Sequence, residues 1–291
     1  MALIYNNLGK TGIIVSQIGL GTEYLLRQPK EVTTNVVQGA IRAGINYFDI
    51  LFSVQHYLKN LSSAFKEYRE NIIIAGHFGT KEVDGRARKT RIVNEAKKSF
   101  LKLLSTLGIE YVDILIIQFV TSDEYDNIFK PNNLFDLAIS FKKEGKAHHI
   151  GISTHDISVA MKAIESKKFD VLMIPLNLAN HSLENRDVLL NKCLSDDLGL
   201  IAIKPFAGGK LLQKNRTVSI AKYQTAGLSM KKKLPADINP LKCLNYVCSL
   251  PGVNLTLMGV KNTSELRANL KYFQTSKVVM SYESLIPTFI N

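Results

Sequence analysis

The side chains in this sequence able to move a proton or hold a metal are few and scattered. Asp49, His56, His77, His155 and His181 form the widest such set, each at or just beyond a short apolar run. A carboxylate with imidazoles serves either as a metal centre or as acid–base machinery. No HxH or HExxH spacing gathers these residues, so no metal site is expected. His148 and His149 are adjacent and would face opposite ways on a strand, which leaves neither as a ligand. Cys193, Cys243 and Cys248 are odd in number and show no CxxC spacing. That argues against a disulfide framework or zinc knuckle and suits a reducing, cytoplasmic setting. Thr263-Ser264-Glu265 reads as a capped helix start before Leu266, Leu270 and Phe273. A capped helix start is a place where an anion can sit.

The net charge of +12 points the same way, toward anionic ligands such as phosphorylated cofactors. Basic residues are spread over positions 86–102, 142–146, 204–216 and 231–233 without a nucleic-acid motif, so nucleic acid ranks below small phosphorylated molecules. No apolar run reaches the length of a membrane helix, and the N-terminus lacks the basic-then-apolar order of a signal peptide.

The elements that must position these residues alternate. Short runs at 18–20, 46–50, 72–75, 112–117, 149–152, 171–175, 200–204 and 254–258 are mostly apolar on both faces, as strands of a parallel sheet are. Between them lie helical patterns. Val93, Ala96, Phe100, Leu103 and Leu107 precede a Gly108 stop, and Val36, Val37, Ala40 and Ile41 precede Gly44. Eight strand-then-helix repeats in 291 residues predict one α/β domain spanning residues 1–291, a (β/α)8 TIM barrel, with an open doubly wound sheet as the alternative. Gly19-Leu20-Gly21-Thr22 is too short for the GxGxxG fingerprint. An N-terminal β-hairpin is expected, its arms at 3–5 and 13–15 flanking Gly9-Lys10-Thr11-Gly12 and plugging the barrel's N-terminal end. Residues 205–235 are long for a connection and read as a functional loop.

Several motifs, in order, resemble the aldo-keto reductases. They are Leu8-Gly9-Lys10-Thr11-Gly12 with Gly19-Leu20-Gly21-Thr22; Gly44-Ile45-Asn46-Tyr47-Phe48-Asp49; Gly145-Lys146 with Ile150-Gly151-Ile152-Ser153; Lys204-Pro205-Phe206-Ala207-Gly208-Gly209-Lys210-Leu211; and Pro251-Gly252-Val253 with Gly259-Val260-Lys261 and Asn269-Leu270. The resemblance implies carbonyl reduction with hydride from NADPH, and an Asp, Tyr, Lys and His at strand C-termini. In that scheme the Tyr gives the alkoxide its proton and the Asp-paired Lys lowers the Tyr pKa.

On this chain the resemblance keeps Asp49 and replaces the rest. Val54 occupies the Tyr position, His77 the Lys position and Gln118 the His position. Val54 has no proton to give, His77 carries the lysine's charge only when protonated, and Gln118 donates a hydrogen bond without titrating. His56 and Tyr57 follow Val54, and Tyr57 is expected to pack at the start of the next helix. Asp49, His77 and Gln118 are therefore the implied catalytic set, with His77 as proton donor.

The implied cofactor set is Gly21, Thr22, Ser153, Lys204, Pro205, Gly208, Gly259, Lys261, Glu265 and Asn269. In it Lys261 meets the 2′-phosphate and Asn269 the adenine, while Glu265 stands where a Gln is common. Thr154, Met173 and Ile203 depart from the family's Asn, Gln and stacking aromatic. Met173 and Lys204-Pro205 resemble a branch with a C-terminal iron–sulfur cluster, but no CxxC is present and no cluster is expected. Two functions follow: an NADP(H)-dependent oxidoreductase acting on a small carbonyl or alcohol with a rebuilt site, or a catalytically silent cofactor-binding or regulatory protein of the same fold.

Overall fold

Strands that are apolar on both faces must be covered on both, and closing the sheet on itself with helices outside does so. The computed structural model, which describes residues 3–213, 217–221 and 229–290, shows that solution. Eight parallel strands form a closed barrel: β1 (Ile18–Gly21), β2 (Tyr47–Ile50), β3 (Ile73–Phe78), β4 (Val112–Ile117), β5 (Ala147–Ser153), β6 (Val171–Pro175), β7 (Gly199–Ile203) and β8 (Val253–Gly259). Closure is made where Thr256 to Gly259 pair in register with Ile18 to Gly21. The open-sheet alternative is thereby excluded.

The outer ring contains α1 (Lys30–Arg42), α2 (Gln55–Phe65), α3 (Val93–Leu107), α4 (Leu134–Lys143), α5 (Ile157–Ser166), α6 (Arg186–Ser195), α7 (Pro240–Cys248) and α8 (Thr263–Leu270). The stops expected from sequence are in place: Gly108 caps α3 in the left-handed region at φ 71°, and Gly44 follows α1 at φ 89°.

Period-two alternation divides the strand residues between two cores. Ile18, Leu20, Phe48, Ile74, Leu115 and Ile152 face the helices. Tyr47, Ala75, Ile114, Ile116, Val171, Met173, Ile201, Leu255 and Leu257 fill the barrel interior. Two steps beyond Tyr47 lies Asp49, and two beyond Ala75 lies His77. The alternation that fills the interior thus delivers these two polar side chains to its C-terminal end.

The other end is sealed by the N-terminal hairpin, in which Tyr5–Asn7 pairs antiparallel with Ile14–Ser16. Leu8 and Val15 join the interior cluster. Gly9, at φ 51°, lies so close that a Cβ there would meet the Gly199 nitrogen at 2.3 Å. The Lys10 N–H donates to the Asp197 carbonyl at 2.9 Å.

Two further hairpins were not anticipated. Thr80–Val83 pairs with Arg86–Lys89 after β3, held to the body by ion pairs Lys81–Glu95, Lys102–Glu82 and Lys89–Glu124. Within residues 205–235, read from sequence as a loop, Thr217–Ala221 pairs with Ser229–Lys233. The described part of that stretch is therefore partly a two-stranded ribbon; positions 214–216 and 222–228 lie outside the described residues.

Candidate active site at the C-terminal mouth of the barrel

The C-terminal ends of the strands open on a cleft of ≈ 710 Å³, counting space open to solvent. Its floor carries Asp49 and His77. The His77 Nε2 lies 2.7 Å from Asp49 Oδ1; the histidine is fully buried and the aspartate nearly so. The His77 Nδ1 is also buried and pairs with no protein group among those described.

Asp49 is braced from behind. Both the backbone N–H and the hydroxyl of Thr22 donate to its carbonyl, at 3.1 and 2.5 Å, and the Tyr57 hydroxyl closes on Thr22 Oγ1. Tyr57 is fully buried on α2, and burial followed by nearby Asp49 and Glu23 drives its pKa up despite the Thr22 hydrogen bond. Its proton is committed to Thr22, so Tyr57 does not replace the family tyrosine. His56 turns the other way, with Nε2 2.7 Å from the Leu26 carbonyl. Val54 is buried at the N-cap of α2.

Of the residues singled out from sequence, Gly21, Asp49, His77, Ser153, Lys204, Pro205, Gly208 and Gly259 border this one cleft. Thr22 lies beneath it. Gln118 is fully buried and does not border it, and neither its amide oxygen nor its nitrogen has a protein partner among the described residues. Gln118 is thus not positioned to flank a substrate carbonyl directly. Lys261, Glu265 and Asn269 sit at the adjoining end, reached through Tyr24, whose ring lines the cleft and lies 5.8 Å from the Lys261 ammonium. Glu265 accepts the Lys261 N–H at 2.8 Å while its own N–H donates to Asn262 at 2.9 Å, which organises the start of α8. Asn269 is buried on that helix.

The wall opposite comes from the ends of β4, β5 and β7. Phe119, at φ 51°, is held by the Ser153 hydroxyl, which accepts its N–H at 3.0 Å. Arg91 gathers the carbonyls of Gly79, Gln118 and Phe119 together with the Glu124 carboxylate, at 2.8 to 3.2 Å. Burial favours a raised Glu124 pKa, but the hydrogen bonds from Arg91, Lys89 and the Thr121 backbone outweigh it and hold the group at about 2. Lys204 also has left-handed backbone, at φ 56°, and its Nζ lies 3.3 Å from His155 Nε2. His155 is exposed overall, but desolvation of its ring and then the Lys204 charge push it down to about 4, so the imidazole is neutral near pH 7 and accepts from the ammonium. Burial lowers the Lys204 pKa, with Glu23 opposing.

Sequence reasoning passed over Glu23 and Tyr24. Both line the cleft from the one-turn helix Glu23–Leu25 that follows β1. Although Glu23 is exposed overall, desolvation on its cleft side raises its pKa; Lys204 opposes the rise, Asp49 adds to it and His77 opposes it. The available signal was register: Gly21 pairs with Asp49 across β1 and β2, so two residues further on must overhang the site.

The cleft suits a dinucleotide phosphate bridge. Cβ atoms at Gly208 and Gly209 would point into open space, so backbone there is accessible for close approach, and Lys204 stands beside them. Among the described residues, no three His, Cys, Asp or Glu side chains converge as for a metal, and no helix is long and apolar enough to cross a membrane.

A closed (β/α)8 barrel with an Asp–His pair and a glycine-lined cleft at its C-terminal mouth has its candidate site where barrel enzymes carry theirs. The model of the aldo/keto reductase family matches residues 17–285, and the chain belongs to that family. Among solved structures it resembles the aldo-keto reductase AKR11C1 from Bacillus halodurans in its holo form, with TM-score 0.77 and 18% identity over 94% of this chain and 92% of that one. It likewise resembles the putative aldo-keto reductase PA4992 from Pseudomonas aeruginosa, with TM-score 0.72 and 18% identity over 92% and 93% of the two chains. Comparison with curated proteins gives no match.

Proposed function

We propose that this protein is an NADP(H)-dependent oxidoreductase that interconverts a small carbonyl compound and its alcohol, using an active site rebuilt around Asp49 and His77. The observation that carries this reading is the buried 2.7 Å Asp49–His77 pair on the floor of a cleft also bordered by Gly208, Gly259 and Lys204. An acid–base pair has no structural need to face a ligand-sized opening. Lys204 and the backbone at 208–209 hold the pyrophosphate, Lys261 and α8 receive the adenosine end, and Met173, Ile203 and Phe206 make the apolar bed beside the pair. When bound, the dinucleotide supplies hydride. The protein's part is to hold the carbonyl near Asp49 and His77, to restrict water, and to provide a proton.

A second reading, a catalytically silent cofactor-binding protein, draws support from Val54 and Gln118. Neither offers a group to the cleft, so two of the family's proton-handling positions are empty of chemistry. Titration of NADPH and of NADH, followed by fluorescence, tests the cofactor assignment; failure to bind either removes both readings. Oxidation of NADPH in the presence of aldehydes and quinones separates enzyme from binder.

A further inference from the structure

If a carbonyl is reduced in this cleft, its oxygen must receive a proton, and the usual donor position is Val54. Among the described residues, the wall offers five titratable side chains, Glu23, Tyr24, Asp49, His77 and Lys204, and one hydroxyl, that of Ser153, which accepts the Phe119 N–H. Asp49 and His77 are committed to each other through Oδ1 and Nε2, and the second imidazole nitrogen is sealed in protein. Tyr24 packs its ring over the Gly259 backbone, where a Cβ would come within 2.5 Å of it, and burial, then the Glu23 and Glu265 charges, raise its pKa and make it a weaker acid. Lys204 is directed at His155. Glu23 remains, exposed to solvent yet lining the same cleft as Asp49, His77 and Lys204, two residues beyond the Gly21 that pairs with Asp49.

We propose that Glu23 is the proton donor for carbonyl reduction in this protein, delivering from β1 what the lost tyrosine would deliver from β2. The proposal rests on the oxidoreductase reading above. The reduced dinucleotide would be the reductant, its hydride carrying one hydrogen nucleus and both electrons to the carbonyl carbon. As that C–H bond forms, the C=O π pair moves onto oxygen. The oxygen takes the Glu23 proton, leaving an alcohol and a glutamate carboxylate that recovers its proton from water at the open mouth. Asp49, close by, disfavours a second negative charge and so favours the protonated carboxyl. His77 screens that repulsion, and its pairing with Asp49 fixes how much of it Glu23 feels.

The test compares wild type with Glu23→Gln, which keeps size and hydrogen bonding but has no titrating proton, and with Glu23→Asp. Three quantities are read: NADPH affinity by fluorescence, kcat against pH for a carbonyl the wild type accepts, and the infrared band of the protonated carboxyl, assigned by its loss in Glu23→Gln. The proposal expects NADPH affinity to change less than about threefold while kcat in Glu23→Gln falls at least about 100-fold. Wild-type kcat should decline as pH rises through the ionisation of that carboxyl, the decline should vanish in Glu23→Gln, and Glu23→Asp should recover part of the rate. A Glu23→Gln protein with undiminished kcat and an unchanged pH profile overturns the proposal alone. So does a Glu23 carboxyl that titrates at or below the ordinary glutamate value. Wild-type protein that binds no dinucleotide, or reduces nothing while holding it, overturns the proposal together with the oxidoreductase reading.

Discussion

Asp49 and His77 come from neighbouring parallel strands, and their side chains meet at 2.7 Å where both strands end. The register pairs Asp49 with Ala75, so the histidine leans back across one residue pair to reach the carboxylate. Removing the aspartate leaves a buried imidazole nitrogen without its hydrogen-bond partner, which costs about 1–3 kcal/mol. Asp49→Ala should lower the unfolding free energy by about that amount in urea titrations. A loss below about 1 kcal/mol would mean the pair is not the buried contact described here.

Lys261 is expected to read the 2′-phosphate. Lys261→Ala should weaken NADPH by about tenfold or more and leave NADH nearly unchanged, since one charge-assisted contact is worth about 1.5–3 kcal/mol. Equal weakening of the two dinucleotides, measured by fluorescence titration, would reassign Lys261 to another part of the cofactor.

Arg91 ties three strand-end carbonyls to Glu124 and so shapes the wall that presents Phe119. Arg91→Ala should destabilise the fold by about 2–3 kcal/mol through unsatisfied carbonyls. The Glu124 carboxyl should rise from about 2 toward its ordinary value, visible by carbon-detected NMR titration. An unmoved Glu124 would show that Lys89 and the Thr121 backbone suffice.

The same carboxylate sets an acid limit. Because its folded pKa is held at about 2, below its ordinary 4.5, its stabilisation is fully present above 4.5 and is lost as pH falls through that window. His155, held at about 4 against 6.5, begins the decline sooner, because the unfolded chain takes up its proton first. Thermal midpoints should therefore start to drop below about pH 6.5 and fall more steeply below about 4.5. His155→Gln should flatten the upper part alone.

Gly9 has two reasons to be glycine, a φ of 51° and the nearness of the Gly199 backbone. Gly9→Ala should cost about 3 kcal/mol, from backbone strain and displacement of the hairpin. A thermal midpoint equal to wild type would show that the hairpin does not press on β7.

The barrel was legible because its strands are apolar on both faces, and all eight runs in the sequence became barrel strands. Asp49 and His77 were legible through motif position, and alternation places them inward. Glu23 was not, since nothing in Gly21-Thr22-Glu23-Tyr24 marks the carboxyl until the pairing of Gly21 with Asp49 is known. The withdrawal of Gln118 was hidden for a similar reason: its seclusion depends on Phe119 and Arg91, which are contacts between loops. The hairpin after β3 did carry a signal, Asp84-Gly85 with both φ values positive, as a tight turn requires. Its charged arms lack the apolar alternation that betrays a strand.

The plug of Leu8 and Val15 makes the cylinder a cup rather than a tube. Whatever enters must depart past the same rim, so a ligand seated deep is trapped by one seated above it. Among the described residues Tyr24, Phe119 and Phe206 line the cleft, so these three rings are what such a ligand passes on its way out.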